Sequence, residues 1–128
     1  MEIKKVRTLE AMNKIKEMLL INHPHPVLKG NYFVMVDEGK IKGTICLLKR
    51  SWYLSEIRHL IVKPEYRGAG LGQRLVDEVL NKVKTPVVCC TIHDDNPVSK
   101  HLFQKKEFAT FKQLFNPITQ HNVILMLK

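Results

Sequence analysis

The segment from Glu56 to Ile92 is the part of this chain that most constrains the fold. It begins with a β-rich run that stops at Pro64, continues through a cluster of glycines, and is followed by apolar residues that recur every 3.6 positions. It ends in Val87–Ile92, an unbroken apolar run rich in β-branched residues, which is typical of a central strand buried on both faces. A strand, a helix and a second strand in this order predict a crossover unit in a sheet that helices cover.

Shorter signals predict the remaining elements. Thr8 and Asn96 are residue types that cap helices, and Gly39 marks a hairpin turn between two β-rich runs. The predicted strands are Ile3–Arg7, Tyr32–Val36, Ile41–Leu48, Glu56–Val62, Val87–Ile92, Phe108–Phe115 and Val123–Leu127, with helices after Thr8, Gly70 and Asn96. We therefore expect an α/β fold, a mixed central sheet with helices on both faces, in the order β-α-β-β-β-α-β-α-β-β.

Size and composition limit the class of protein. The chain has 128 residues, 45% of them apolar, so we expect one domain over residues 1–128 and exclude intrinsic disorder. No apolar run approaches the roughly 18–20 residues of a spanning helix, and charged residues interrupt the first twenty positions, so we expect a cytoplasmic protein without a membrane partner. Cys46, Cys89 and Cys90 are an odd number, and two are adjacent, which favours buried thiols over a disulfide framework or a zinc site.

The charge balance indicates an affinity for anions. The chain has 21 basic and 12 acidic residues, a net charge of +9, which predicts a positive surface potential. The basic residues are spread along the chain, without a run of five and without interleaved aromatic residues. This distribution disfavours a nucleic-acid partner.

The glycine cluster lies between a strand and the most strongly periodic helix, and it comprises Arg67, Gly68, Ala69, Gly70, Leu71 and Gly72. Glycine lets successive backbone N–H groups approach an anion, and the following helix adds its positive dipole end. A phosphate or pyrophosphate fits such a loop, although a glycine-rich turn packed against the sheet would have the same composition. The dinucleotide fingerprint is excluded because Leu71 and Gln73 stand where its third glycine would be, and the lysine of a P-loop is missing after Gly72.

Two segments carry a resemblance to a known family. The glycine cluster, with Val62–Tyr66 before it, resembles the R/Q-x-x-G-x-G/A signature of the GNAT superfamily of N-acetyltransferases and its preceding V-x-P-E/D-Y stretch. Asn96–Phe108 is similar to the family's N-x-x-A/S-x-x-L-Y-x-K-x-G-F pattern, and it keeps Asn96, Ser99, Leu102, Lys105 and Phe108. The resemblance is close over residues 56–108, and the element order extends it over the whole chain, with a shortened second helix.

The resemblance implies acetyl-CoA as co-substrate, without a metal, between the splayed parallel strands Glu56–Val62 and Val87–Ile92. The loop amides would hold the pyrophosphate, and the backbone of Leu60, Ile61 and Val62 would pair with the pantetheine arm and meet the oxyanion. Arg67 would add charge at the pyrophosphate or cap the loop. Asn96 would contact the pantetheine arm, cap its helix, or do both.

The resemblance also implies a catalytic role for Glu56, because some members have a general-base glutamate at the start of this strand. Regular alternation puts Glu56 on the face of the cofactor residues, unless a bulge intervenes. The alternatives are a solvated carboxylate or an ion pair with Arg58, and His59 is a weaker candidate base. A direct glutamate base on the later strand is excluded, because Thr91 occupies that position.

Phe103 and Glu107 depart from the family pattern. Phe103, in the expected cofactor-binding set, replaces the tyrosine that usually protonates the CoA thiolate, and phenylalanine has no proton to give. Water, His101 or the amine's own proton would replace it, or the thiolate would leave unprotonated, or the protein would bind acetyl-CoA with little turnover. Glu107 replaces a glycine, which predicts a different geometry at the end of its helix.

The expected function is transfer of an acetyl group from acetyl-CoA to a primary amine of a small molecule or of a peptide or protein, by direct attack in a ternary complex. The alternative is a catalytically weak CoA-binding regulatory module. The net charge of +9 disfavours polycationic acceptors. We expect a monomer or a homodimer, and the weak candidates for the acceptor cleft are His23, His25, Trp52 and Tyr53.

Overall fold

Seven strands form one sheet in the computed structural model, which describes residues 1–21 and 26–128. The strands are β1 (Glu2–Lys5), β2 (Asn31–Asp37), β3 (Lys40–Lys49), β4 (Leu54–Val62), β5 (Val87–His93), β6 (Ala109–Asn116) and β7 (His121–Leu127). The helices are α1 (Leu9–Leu20), α2 (Leu71–Leu80) and α3 (Pro97–Lys105), and a 3-10 turn covers Pro64–Tyr66. The strand order is β1-β2-β3-β4-β5-β7-β6. The α/β class and the element order are those predicted.

Met1–Leu48 and Ile57–Val83 form the first of two compact units. In this unit β2 pairs antiparallel with both β1 and β3. Helix α1 packs on one face of these strands, with Ile15 and Leu19 fully buried in a cluster that includes Tyr32, Val34 and Cys46. This cluster is the apolar core on the α1 side.

The predicted cap of α1 is present, whereas the shortened second helix does not occur within the described residues between α1 and β2. The Thr8 hydroxyl accepts a hydrogen bond from the amide of Ala11 at 3.2 Å, which satisfies one of the unpaired N–H groups of the first turn. Between α1 and β2, the described residues 26–30 contain no helix, and residues 22–25 lie outside the described part of the chain.

Helix α2 packs on the opposite face of β3. A Cβ atom on Gly43 would lie 3.1 Å from Cδ1 of Leu75 and 2.9 Å from the carbonyl oxygen of Ile61. Gly43 and Cys46 are three residues apart in the strand, so they point to opposite faces. The missing side chain at Gly43 therefore lets α2 and β4 lie close to β3.

Lys49–Glu56 and Lys84–Lys128 form the second compact unit. In this unit β7 pairs antiparallel with both β5 and β6. Asn96 begins α3 as predicted, because its Oδ1 accepts a hydrogen bond from the amide of Ser99 at 3.1 Å.

The end of α3 corrects one prediction. Glu107 adopts a φ of 69°, and its N–H donates to the carbonyl of Gln104 while the N–H of Phe108 donates to that of Phe103, both at 3.0 Å. These two bonds form a Schellman motif, and the rings of Phe103 and Phe108 supply its apolar contact, with centroids 5.1 Å apart. The helix thus ends in the geometry that glycine usually supplies, so the expectation of a different geometry at Glu107 is wrong.

Candidate functional site

The glycine loop before α2 is open above its backbone. Gly68 and Gly70 have φ angles of 86° and 76°, in the left-handed region that favours glycine. Beyond the adjoining residues, a Cβ atom on either glycine would meet no atom of the described chain within 4 Å. Gly70 is also the N-cap of α2 and has no side chain to occupy the first amides of the helix. The loop therefore fits an anion bound by backbone N–H groups.

Charge at this end of α2 also favours an anion. The first turn of α2 lies wholly within the described residues and contains no acidic side chain. Arg67, just before the glycines, donates from Nε to the carbonyl oxygen of Val62 at 2.9 Å. This bond caps the end of β4 through Nε and keeps the guanidinium at the loop. Contact between Arg67 and a pyrophosphate stays a prediction.

Leu60, Ile61 and Val62 are the last three residues of β4 and are half-buried. The side chain of Ile61 packs against the α1-side core. The carbonyl oxygen of Val62 already accepts a hydrogen bond from Nε of Arg67. Pairing of these three residues with the pantetheine arm stays a prediction.

His59 precedes these residues in an unusual backbone conformation. Its φ is 54°, in the left-handed region, which histidine enters more readily than most residues. Its Nδ1 lies 2.7 Å from Oη of Tyr32, and the two rings stack with centroids 5.9 Å apart. A left-handed residue interrupts the regular alternation of a strand. The parity argument that put Glu56 on the face of Leu60 therefore does not hold.

Glu56 is paired with Arg50 rather than with Arg58. Oε1 of Glu56 lies 2.7 Å from Nη2 and 2.9 Å from Nε of Arg50. Arg58 instead directs its Nη2 toward the carbonyl oxygen of Val27 and Nε2 of His59, both at 3.3 Å. The expected alternative, an ion pair of Glu56, is present, but its partner is Arg50 and not Arg58. The role of Glu56 as a base stays a prediction.

Asn96 and Phe103 have structural roles in the second unit. Asn96 is exposed and caps α3 through its side-chain oxygen. Phe103 is 3% exposed and packs on Phe108. Their contacts with the cofactor stay predictions.

Sequence reasoning missed two contacts between side chains. Arg50 and Glu56 stand on either side of the turn between β3 and β4, so a hairpin drawn between the two predicted strands would have brought them together. Tyr32 and His59 are 27 residues apart, on strands that are not neighbours in the sheet, and no local pattern indicates their contact.

The weak candidates for an acceptor cleft remain untested. His23 and His25 lie outside the described residues. Trp52 is 78% exposed and Tyr53 is 48% exposed at the turn between β3 and β4, where their rings contact edge to face.

The three cysteines are buried as predicted, and none forms a disulfide with another cysteine of the described chain. Burial raises the pKa of Cys89 to about 11 and that of Cys90 to about 12, so both remain thiols at neutral pH. Within residues 1–21 and 26–128, no group of three or more His, Cys, Asp or Glu side chains is arranged to hold a metal ion. The same part of the chain contains no helix of the length and apolarity needed to span a membrane.

Solved structures with a similar fold match nearly the whole chain. A GNAT family acetyltransferase from Elizabethkingia anophelis with acetyl-CoA bound has a TM-score of 0.83 at 17% identity, covering 98% of this chain and 96% of that one. An IAA acetyltransferase from Bacillus cereus ATCC 14579 has a TM-score of 0.83 at 19% identity, covering 98% of both chains. NAA60 from Arabidopsis thaliana, in complex with a bisubstrate analogue, has a TM-score of 0.80 at 15% identity, covering 99% of this chain and 97% of that one. At these identities the likeness establishes the fold.

The sequence itself identifies the family. A search of curated proteins finds no significant match. The sequence model of the Acetyltransferase (GNAT) family matches residues 7–108, a range that includes β4, the glycine loop and all of α3. Members of this family use acetyl-CoA as co-substrate, and the glycine loop at the start of α2 leaves open space beside its backbone. The chain therefore belongs to the GNAT family and is an acetyl-CoA-dependent acetyltransferase.

Proposed function

We propose that the protein transfers the acetyl group of acetyl-CoA to a primary amine of a small molecule or a peptide, with both substrates bound at once. The open glycine loop carries this proposal, because Gly68 and Gly70 leave room for a pyrophosphate beside backbone N–H groups. The guanidinium of Arg67 adds a positive charge beside it. The backbone of Leu60–Val62 then receives the pantetheine arm.

The reaction requires three things of the protein. The acceptor must be a neutral amine, the oxyanion formed at the thioester carbonyl must be stabilised, and the departing sulfur must receive a proton. Backbone N–H groups in Leu60–Val62 are the proposed oxyanion donors. Strand amides suit this role because they are held in place before the reaction begins.

Glu56 is the candidate base that the family resemblance supplies. Its Oε1 already accepts two hydrogen bonds from Arg50. As a base it would accept the amine's proton at Oε2 or exchange the Arg50 contact for the acceptor. Replacing Glu56 with glutamine tests the assignment, since glutamine retains the shape without the carboxylate.

The departing sulfur needs a proton that Phe103 cannot supply. Phe103 is buried in the apolar contact at the end of α3, so its ring already has a packing role. We propose that the attacking nitrogen supplies this proton. The nitrogen becomes strongly acidic once it has bonded to the carbonyl carbon, and the thiolate is the base that leaves beside it.

The acceptor class follows from charge and from relatives. Structural neighbours include the spermidine/spermine N-acetyltransferase SpeG from Vibrio cholerae and the NatC complex bound to Gag peptide and CoA, so amines of both kinds are acceptors for proteins of this fold. The net charge of +9 repels polycations. We therefore propose a neutral or anionic small molecule or peptide rather than a polyamine.

The experiment measures release of the CoA thiol from acetyl-CoA in the presence of a panel of aliphatic monoamines, amino-acid esters and peptides with free N-termini. We expect turnover with the neutral or anionic members, confirmed by the mass of the acetylated product. Wild type and Phe103→Tyr are compared because Phe103 also favours a second function, a CoA-binding module with weak catalysis. Acetyl-CoA binding without turnover in either protein would favour the module and contradict the enzyme.

A further inference from the structure

Strand β6 lies at one edge of the sheet, and its outer side is accessible. Within the described residues, β6 pairs with β7 on one side and with no strand on the other. Seven of its eight residues, Ala109–Asn116, are exposed. An edge strand of this kind presents backbone N–H and C=O groups to which another strand can bind.

Large apolar side chains cluster along this edge. Phe111 is 67% exposed, Phe115 is 64% exposed, and Leu114 between them is 48% exposed. Ile118, in the turn that follows the strand, is 92% exposed. Exposed apolar residues that are scattered singly are ordinary on a protein surface. Four of them within eight consecutive positions of one edge indicate a surface that another molecule covers.

Few charges protect the β6 edge, in contrast to the other edge strand. Residues 109–119 contain one charged side chain, Lys112, in a chain of which 26% of the residues are charged. Strand β1, at the other edge, has four residues, and Glu2, Lys4 and Lys5 are charged. Short length and charge are usual means by which an edge strand avoids pairing with another molecule. Of the two edges, only β6 therefore has the composition of an interface, in which charges are depleted and aromatic residues are enriched.

The part of β6 that can pair regularly is short. The register with β7 shifts between Thr110 and Lys112, and Pro117, which has no N–H to donate, follows the strand. One regular segment, Lys112–Asn116, lies between these points. Residues directly opposite each other in an antiparallel ladder either both hydrogen-bond across the pair or both do not, and successive residues alternate, so a two-fold axis between two copies passes through a residue. An axis through Leu114, the central residue, pairs the segment with itself over its full length.

This register is compatible with the charges of two identical strands. Lys112 of one copy comes opposite Asn116 of the other, so the two Lys112 positions are four residues apart along the strands, roughly 13 Å. This separation exceeds the Debye length of about 8 Å at physiological salt. Leu114 meets Leu114 of the second copy, and Phe115 comes opposite Gln113. No like charges therefore lie directly opposite each other, an arrangement that would destabilise the pair.

The apolar surface of the edge is large enough to contribute substantially to a dimer interface. With about 200 Å² for a whole phenylalanine, Phe111 and Phe115 expose roughly 260 Å² per copy, or about 500 Å² in two copies. The rings thus offer about half of the roughly 1,000 Å² that a biological interface exceeds. Leu114, Ile118 and the paired backbone add to this area.

We propose that two copies of the chain pair antiparallel through residues 112–116 of β6, about a two-fold axis at Leu114, and so join their sheets edge to edge. The pairing uses the same edge of both copies, and the two remaining edges are the short, charged β1 strands. The assembly therefore closes at two copies and does not grow into a filament. This pairing does not depend on the proposed acetyl transfer.

Sedimentation velocity over a dilution series that begins at roughly 100 μM tests the pairing, because small interfaces are weak. We expect the wild type to be a dimer at the highest concentration. Leu114→Lys places two ammonium groups opposite each other at the axis and should raise the dissociation constant of the dimer at least roughly 100-fold. The matched control is Trp52→Lys, because Trp52 is 78% exposed in the same compact unit but lies outside β6. This control should remain dimeric.

Cross-linking tests the position of the contact with a milder substitution. In Leu114→Cys the two Cβ atoms at the axis would lie about 5 Å apart, so a short bismaleimide should join two chains. The natural cysteines, Cys46, Cys89 and Cys90, are buried and should react little. The matched control is Lys4→Cys on the exposed surface of β1, which should not join two chains.

Three results would overturn the proposal. A wild type that is monomeric at roughly 100 μM would do so and would leave the β6 edge to a partner of different chemistry. A dimer that persists unweakened in Leu114→Lys, or that cross-links equally through Lys4→Cys, would place the interface elsewhere. Leu114 is already 48% exposed, so both variants at this position should fold, which thermal melts check. A dimer that acetylates no amine would contradict the proposed function and still support the pairing.

Discussion

Replacing Gly70 with tryptophan should abolish acetyl-CoA binding while leaving the fold intact. Gly70 has a φ of 76°, and no atom of the described chain beyond its neighbours lies within 4 Å of the position of a Cβ. A side chain at this position can therefore begin without a clash at its Cβ atom. It would occupy the space over the loop amides, which is the space proposed for the pyrophosphate.

The substitution carries two costs of different size. A non-glycine residue in the left-handed region costs about 1–2 kcal/mol, which corresponds to a decrease in Tm of roughly 3–10 °C for a chain of this size. A hydrogen bond to a charged group contributes about 1.5–3 kcal/mol, so losing two amide contacts to the pyrophosphate costs about 3–6 kcal/mol. The expected loss of affinity is roughly 10²- to 10⁴-fold.

Calorimetric titration with acetyl-CoA and with CoA measures the affinity, and thermal melts measure the stability. The matched control is Gly39→Trp, because Gly39 has a φ of 74° and is equally open but lies in the turn between β2 and β3. Both variants should lose similar stability, and only Gly70→Trp should lose binding. Equal affinities in the two variants would refute the placement of the pyrophosphate, and no binding by wild type would refute the cofactor site altogether.

Three further predictions concern a surface ion pair, a helix end and a helix cap. The Lys42 ammonium holds the pKa of Asp37 below its usual range. The stabilisation from this pair is present above the unfolded-state pKa of Asp37 and is lost as pH falls through its lower folded-state pKa. Asp37→Asn should therefore lower Tm at neutral pH, and a difference in Tm that persists in strong acid would contradict this. Glu107→Gly should raise the free energy of unfolding by about 1 kcal/mol in a denaturant titration, because glycine adopts a φ of 69° without strain; an unchanged midpoint would count against it. Asn96→Ala should cost about 1 kcal/mol of stability while Asn96→Ser retains the cap; wild-type acetyl-CoA affinity in both would limit Asn96 to capping.

The features that the sequence predicted well depend on residues close together in the chain. The caps at Thr8 and Asn96 are hydrogen bonds to amides three residues further on, and both are present. The loop at Gly68 and Gly70 needs positive φ angles at those residues themselves, so its open backbone follows from composition at two positions. For the same reason the signature was sufficient to identify the family before any contact was known.

Two features that the sequence predicted poorly depend on contacts between side chains. The alternation argument for Glu56 assumed a regular strand, but the left-handed residue at His59 interrupts β4. Glu107 was expected to change the end of α3, yet the contact between Phe103 and Phe108 holds the Schellman geometry in spite of the side chain. In each case a contact between side chains outweighed a local preference of about 1 kcal/mol.

By itself, the sequence determined the order of the elements, the open glycine loop and the membership of an acetyltransferase family, because these are encoded in local patterns of glycine, proline and apolar spacing. Only the tertiary structure decided that Arg50 pairs with Glu56 and that Tyr32 contacts the ring of His59, although 27 residues separate the latter pair. The physical reason is that a side chain's partners depend on which strands become neighbours and in what register. That choice is made by the whole core, including α1 and the left-handed residue His59 in β4, and no single segment records it.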